Sequence, residues 1–154
     1  MGFRKRKQTS ATDSQEPKRQ LEYVTVTLDD VRRAVNRFAE RSSEEIPLRT
    51  IIHTNNEIDF ELLADDLGGL PDQPFYMSRE TYEVFEEAEL PGYIDRCQIA
   101  VDQYVLETGS EPVTPGEPSR KVNFQKLKHY LSDPPPFDLY LHPSDRMVTH
   151  RKPV

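Results

Sequence analysis

Apolar residues recur along this chain in two rhythms that alternate. Leu21–Val26, LEYVTV, switches between apolar and polar positions, which predicts a half-buried strand. From Leu28 the spacing changes. Leu28, Val31, Val35 and Phe38, with Ala34 beside them, fall on one face of a helix, which Thr27 would cap and Asp29 and Asp30 would favour in its first turn. The helix should stop near Ser42–Ser43, before Pro47. Leu48–Thr54 reads as a strand closed by the turn pair Asn55-Asn56. A second helix is predicted over Asp59–Leu67, with Phe60, Leu63 and Leu67 on one side and Gly68-Gly69 as its stop. Phe75–Met77 and Tyr82–Phe85 then form a candidate hairpin, and Pro91-Gly92 marks a break.

Beyond that break the plan recurs. Ile94, Cys97, Val101 and Tyr104 repeat the spacing of Leu28, Val31, Val35 and Phe38 at an offset of sixty-six residues, and Gly109 should end this helix. Pro112, Pro115 and Pro118 stiffen the segment where the first copy has its Ile51–Ile52 strand. Lys121–Arg151 then answers the stretch from Ile58 to Val84 without a gap. Val122, Phe124, Leu127, Leu131, Pro135, Tyr140 and Val148 stand sixty-four residues after Ile58, Phe60, Leu63, Leu67, Pro71, Tyr76 and Val84. A recurring order of elements at near-constant spacing is the mark of an internal repeat. The expected architecture is α+β: two degenerate α-α-β-β units, residues 21–90 and 91–154, sharing a small antiparallel sheet with helices packed on one side.

Charge alters this picture at the N-terminus. The chain is −7 overall, but residues 1–20 hold six of its basic side chains and two of its acidic ones, with almost no apolar content. That segment should be a disordered basic tail. Phe3 with Arg4, Lys5, Arg6 and Lys7 would give at most a weak contact with an anionic surface, which makes a membrane-surface accessory one alternative. The acidic balance elsewhere argues against a general nucleic-acid binder. No apolar run approaches membrane-spanning length, and one cysteine cannot form an internal disulfide, so a cytoplasmic location is expected.

Candidate chemistry is sparse. No glycine-rich phosphate loop, G-x-S-x-G or H-E-x-x-H pattern occurs. Cys97 sits on the apolar face of its helix and reads as a small buried hydrophobe rather than a nucleophile. His142 and His150 flank the last hairpin, His129 precedes it, and Asp145 occupies its turn; together they could ligate zinc or iron, although their spacing matches no ligand signature. Glu57–Asp95 holds twelve acidic residues against Arg79 alone, a solvated face or a docking surface for a basic partner. Arg120, Lys121, Lys126 and Lys128 make the matching stretch of the second unit basic, which would help the copies pack together or associate head to tail.

Three motifs carry a family resemblance: Ala100, Val101, Asp102 and Tyr104; Lys121, Val122, Lys126 and Leu127; and the terminal Leu139-Tyr140-Leu141 with Val148, Thr149, His150, Lys152 and Pro153. In these the chain resembles an uncharacterised family of short proteins from endospore-forming Firmicutes, a domain of unknown function. The resemblance covers the last third and implies no activity. The expectation is a non-enzymatic protein-interaction module with no cofactor and no catalytic or metal residue assigned, acting on a protein partner or on itself. The alternative is a small metal-binding protein or enzyme using His129, His142 and His150.

Overall fold

Thr27 and Asp30 set the first helix by capping each other. The Asp30 N–H donates to Thr27 Oγ1 at 3.0 Å, and the Thr27 N–H donates to Asp30 Oδ2 at 2.9 Å, so two amides at the helix start are satisfied reciprocally. Helix α1 then runs Leu28–Ser42 and buries Val31, Ala34, Val35 and Phe38, the stripe its periodicity predicts. This computed structural model describes residues 21–42 and 47–153; the basic tail lies outside the described residues.

The chain is α+β, with elements in the order β1 (Tyr23–Val24), α1, α2 (Ala64–Leu67), β2 (Leu70–Pro71), β3 (Tyr76–Met77), β4 (Val84–Phe85), α3 (Leu90–Thr108), β5 (Tyr140–Leu141) and β6 (Val148–Thr149). The strands do not merge into one shared sheet. They form three two-stranded ladders, and one of them, β1 with β2, is parallel. Gly69 permits that ladder: at φ +153° a Cβ there would meet the Glu22 carbonyl oxygen at 2.4 Å.

Three other expectations are corrected. Leu48–Ile51 is a 3-10 turn rather than a strand, because the Thr50 N–H and Oγ1 both bond back to the Pro47 carbonyl. Only Ile52 pairs, across to Ile58. The helix over 59–67 is a 3-10 turn at Phe60–Leu62 followed by the single turn of α2, and its partner at 124–130 is a run of turns. Asp59 and Asn123 explain both, since each side chain accepts the N–H two residues on, from Glu61 and from Gln125, and so favours tight i→i+3 closure. Finally, Pro91-Gly92 does not break the chain. Pro91 lies in the first turn of α3, where its missing N–H costs nothing, and Gly109 (φ +73°) closes that helix by donating to the Val105 carbonyl.

The backbone contacts of the two halves fall on matching positions. Ile58 N–H donates to Phe75 O as Val122 N–H does to Leu139 O; Met77 to Asn56 as Leu141 to Arg120; Ser78 to Glu83 as His142 to Met147. The non-glycine residues with left-handed φ, among those described, are Asn56, Tyr82, Arg120 and Arg146, two pairs sixty-four residues apart. Such conformations are costly outside glycine, so their recurrence follows the fold rather than residue type. The forked pairing of Arg120 and Arg146 with Glu111, at 3.0 and 3.2 Å, ties the two left-handed positions of the second half to one carboxylate. The hydrogen bond from Arg120 holds the Glu111 carboxyl below its ordinary range, with Arg146 adding to the effect.

Two cores result. One gathers α1 with Ile51, Ile58, Leu63, Phe75, Met77 and Val84; the other gathers α3 with Phe85, Val122, Leu127, Leu139, Leu141 and Val148. Strand β4 joins them, because successive side chains point to opposite faces: Val84 enters the first core and Phe85 the second. A polar clamp lies beside that join. The Asp95 carboxylate on α3 accepts from Ser78 Oγ (2.5 Å), Asn56 Nδ2 (2.9 Å) and the N–H groups of Arg79 and Glu80 (3.2 and 3.1 Å). Ser78 is fully buried and Asn56 nearly so.

Replacing Asp95 by Ala removes the acceptor of the buried Ser78 hydroxyl and of the Arg79 N–H, while Asn56 and the Glu80 N–H keep their second acceptors. It is expected to cost about 3 kcal/mol, from charged hydrogen bonds of ~1.5–3 kcal/mol each partly replaced by water. Asp29, its counterpart on α1, is mostly exposed and holds one ion pair with Arg32, so Asp29→Ala should cost under about 1 kcal/mol. Urea unfolding of the two variants measures the difference. Cys97 is fully buried, and burial pushes its thiol up to about 12. Iodoacetamide at pH 8 should therefore label native protein only at the rate of unfolding, with labelling accelerating through the urea transition.

Candidate functional site

A groove of about 470 Å³ opens where the two hairpins meet, with Thr81 and Glu83 from the first hairpin on one side. The second hairpin supplies His142, Pro143, Asp145 and Met147, and the chain after β6 supplies Arg151, Lys152 and Pro153. Met147 is over a third exposed, an apolar residue at the rim of a charged groove.

Glu83 organises the floor. Its carboxylate lies 3.4 Å from Arg151 Nε, 3.6 Å from His150 Nδ1 and 3.5 Å from Thr149 Oγ1. The His150 separation is too long for a hydrogen bond, and Nδ1 is a buried atom with no hydrogen-bond partner. The ring itself is held against Phe85 with centroids 5.1 Å apart. The β4–β6 region therefore places a carboxylate, an imidazole and a guanidinium within one small space, linked to the second core through Phe85.

The histidines divide into separate tasks. His142 Nδ1 accepts from the Ser144 N–H at 3.2 Å and lies 2.9 Å from Ser144 Oγ, and Asp145 Oδ1 approaches the same nitrogen at 3.5 Å. A catalytic relay needs the hydroxyl and the carboxylate on opposite ring nitrogens; here both meet one. His142 instead caps its turn as Ser78 Oγ caps the other, where it accepts from the Glu80 N–H. His129 is exposed on the run of turns at 124–130. Among the described residues, no three or more histidine, cysteine, aspartate or glutamate side chains lie close enough to hold a metal ion, so His129, His142 and His150 do not converge.

Part of the acidic stretch is taken up internally. Asp66 pairs with Arg37 and Arg41, Glu80 with Arg49, Glu83 with Arg151, and Asp95 with the turn. The remainder is more open: Glu57, Asp59, Glu61 and Asp72 line a second groove of about 370 Å³ beside Phe60 and Pro71. Asp66 and Arg120 find ion-pair partners within their own half, whereas Glu83 and Arg151 pair between the halves.

Two residues with decisive contacts escaped the reading of the sequence. Gln98 is 5% exposed and bonds the outer edge of β6, and Glu83 collects the groove. Gln98 carried a faint signal, a polar residue next to Cys97 on an otherwise apolar helix face; Glu83 carried none. Among the described residues, no helix is long and apolar enough to cross a membrane.

Comparison with curated proteins and with solved structures finds no match. A family model does match, over residues 21–150, which spans every strand and helix described above. The chain therefore belongs to the family described as Protein of unknown function (DUF3939).

Proposed function

We propose that this protein is a non-enzymatic interaction module that seats a protein partner in the groove between its two hairpins. The groove carries the reading: it is open, its rim presents Met147 and Pro143, and its charges come in both signs from Glu83, Asp145, Arg151 and Lys152. An exposed apolar contact ringed by mixed charge is the usual build of a protein-binding surface. In this reading residues 21–90 and 91–154 are degenerate copies of one unit, supported by the matched backbone contacts and left-handed positions. Function then resides where the copies differ, in the His142–Pro153 rim. The host is an endospore-forming Firmicute, the compartment is the cytoplasm, and the basic tail at residues 1–20 adds a weak anionic-surface contact.

A photoreactive residue at position 147, introduced into the full chain in such a host, should crosslink one discrete partner. The same residue at position 106, exposed on α3, should not. Arg151→Glu combined with Lys152→Glu should cut the crosslink about tenfold, the effect of ~1.4 kcal/mol, with an unchanged melting temperature. Equal crosslinking from both positions would overturn the groove as the binding surface.

A further inference from the structure

The outer edge of β6 is plugged by a side chain. Val148 N–H donates to Gln98 Oε1 at 2.7 Å, while Gln98 Nε2 donates to Asp102 Oδ1 at 3.0 Å and to the Arg146 carbonyl at 3.4 Å. A carboxamide suits the position because it offers an acceptor to the strand N–H and donors to the strand carbonyl and to Asp102.

Strand β4 has the matching backbone, and no side chain among the described residues bonds its outer edge. Val84 faces Met77 as Val148 faces Leu141. Met77 N–H donates to Asn56, away from β4. In an antiparallel ladder both members of such a pair turn their N–H and C=O groups outward, so Val84 N–H lies on the outer edge as Val148 N–H does. Tyr82 shares the left-handed φ of Arg146, and its N–H donates to Ser78 O as that of Arg146 does to His142 O. The Glu83 N–H turns inward to Thr81 Oγ1 as the Met147 N–H does to Asp145 Oδ1, so the Tyr82 carbonyl, on the opposite side of that trans peptide, turns outward as the Arg146 carbonyl does. Sixty-six residues before Gln98 and Asp102 stand Arg32 and Asn36. Arg32 is drawn away to Asp29 at 3.2 Å. What remains between α1 and β4 is a pocket of about 300 Å³ lined by Arg32, Val35, Asn36, Tyr82, Val84 and Arg151, with Glu83 at its side.

We propose that this pocket binds a primary carboxamide, the end group of an asparagine or glutamine side chain, in the pose that Gln98 adopts against β6. The ligand carbonyl accepts from Val84 N–H, and its NH₂ donates to the Tyr82 carbonyl and Asn36 Oδ1. Charged groups fit less well. A carboxylate has no donor for the Tyr82 carbonyl and meets Glu83, whereas an ammonium has no acceptor for Val84 and meets two guanidiniums. The arginines are already engaged, Arg32 by Asp29 and Arg151 by Glu83. This site adjoins the partner groove proposed above, sharing Glu83 and Arg151 with it, but its polar contacts come from Val84, Tyr82 and Asn36 and can be tested without any partner.

The test is a titration of the ¹⁵N-labelled full chain with propionamide, propionate and propylammonium, read by amide chemical shifts. Propionamide should move the Val84 resonance saturably at millimolar concentration, with Tyr82 and Val35 following, and the two ions should do no more than salt. Arg32→Gln supplies the missing carboxamide within the chain. It should slow hydrogen exchange at Val84 about tenfold and abolish the propionamide response. Asn36→Ala, on an exposed helix position, should fold normally and weaken the response several-fold. The proposal is overturned if Val84 does not respond to propionamide, if propionate acts equally well, or if Arg32→Gln and Asn36→Ala both leave the response intact.

Discussion

The whole arrangement depends on the alternation of one short strand. Strand β4 is two residues long, yet Val84 closes the first core and Phe85 opens the second. Neither half can shift relative to the other by one residue without sending Val84 toward the second core and Phe85 toward the first, where each meets a space shaped for the other. Burying Phe85 is worth roughly 2–3 kcal/mol by transfer, and the Asp95 clamp fixes the turn from which β4 departs. Apolar alternation supplies the stabilisation and the carboxylate supplies the register.

The legible parts of the fold were those set by local chemistry. The Thr27 cap, the stripes of α1 and α3, the glycine at position 109 and both hairpins follow from residues within a turn or two of one another. The pairing of Tyr23–Val24 with Leu70–Pro71 did not, because its partner is distant and its strand direction leaves no periodic trace. The 3-10 turn at Leu48–Ile51 was hidden by β-branched composition, where the Thr50 hydroxyl outweighed strand propensity. The histidines misled for a related reason. Nearness in sequence placed His142 and His150 on one hairpin, but His142 serves its own turn and His150 packs on Phe85, a contact between halves.

The same division applies to candidate function. Of the charge that stood out in the sequence, Asp66, Glu80, Glu83 and Arg120 are taken up in ion pairs while Glu86, Glu87, Glu89 and Lys126 stay exposed, so a charge run did not distinguish paired from open positions. The informative positions are those where matched backbones carry different side chains: Gln98 against Arg32, His142 against Ser78, Thr149 against Phe85. At each, one half finishes its structure with its own atoms and the other leaves an opening or takes up a different contact.

Thr149 stands where the first half has Phe85, and it is half-buried with its hydroxyl turned toward Glu83. Strand β4 thus turns an apolar side chain to each of its faces, whereas β6 turns Val148 to the second core and a hydroxyl to a carboxylate. A hydroxyl gives up its water only for another polar group. The outer face of β6 therefore favours solvent or a polar contact over further apolar packing, so one exchange of an aromatic for a threonine makes one hairpin a joint and the other a wetted face.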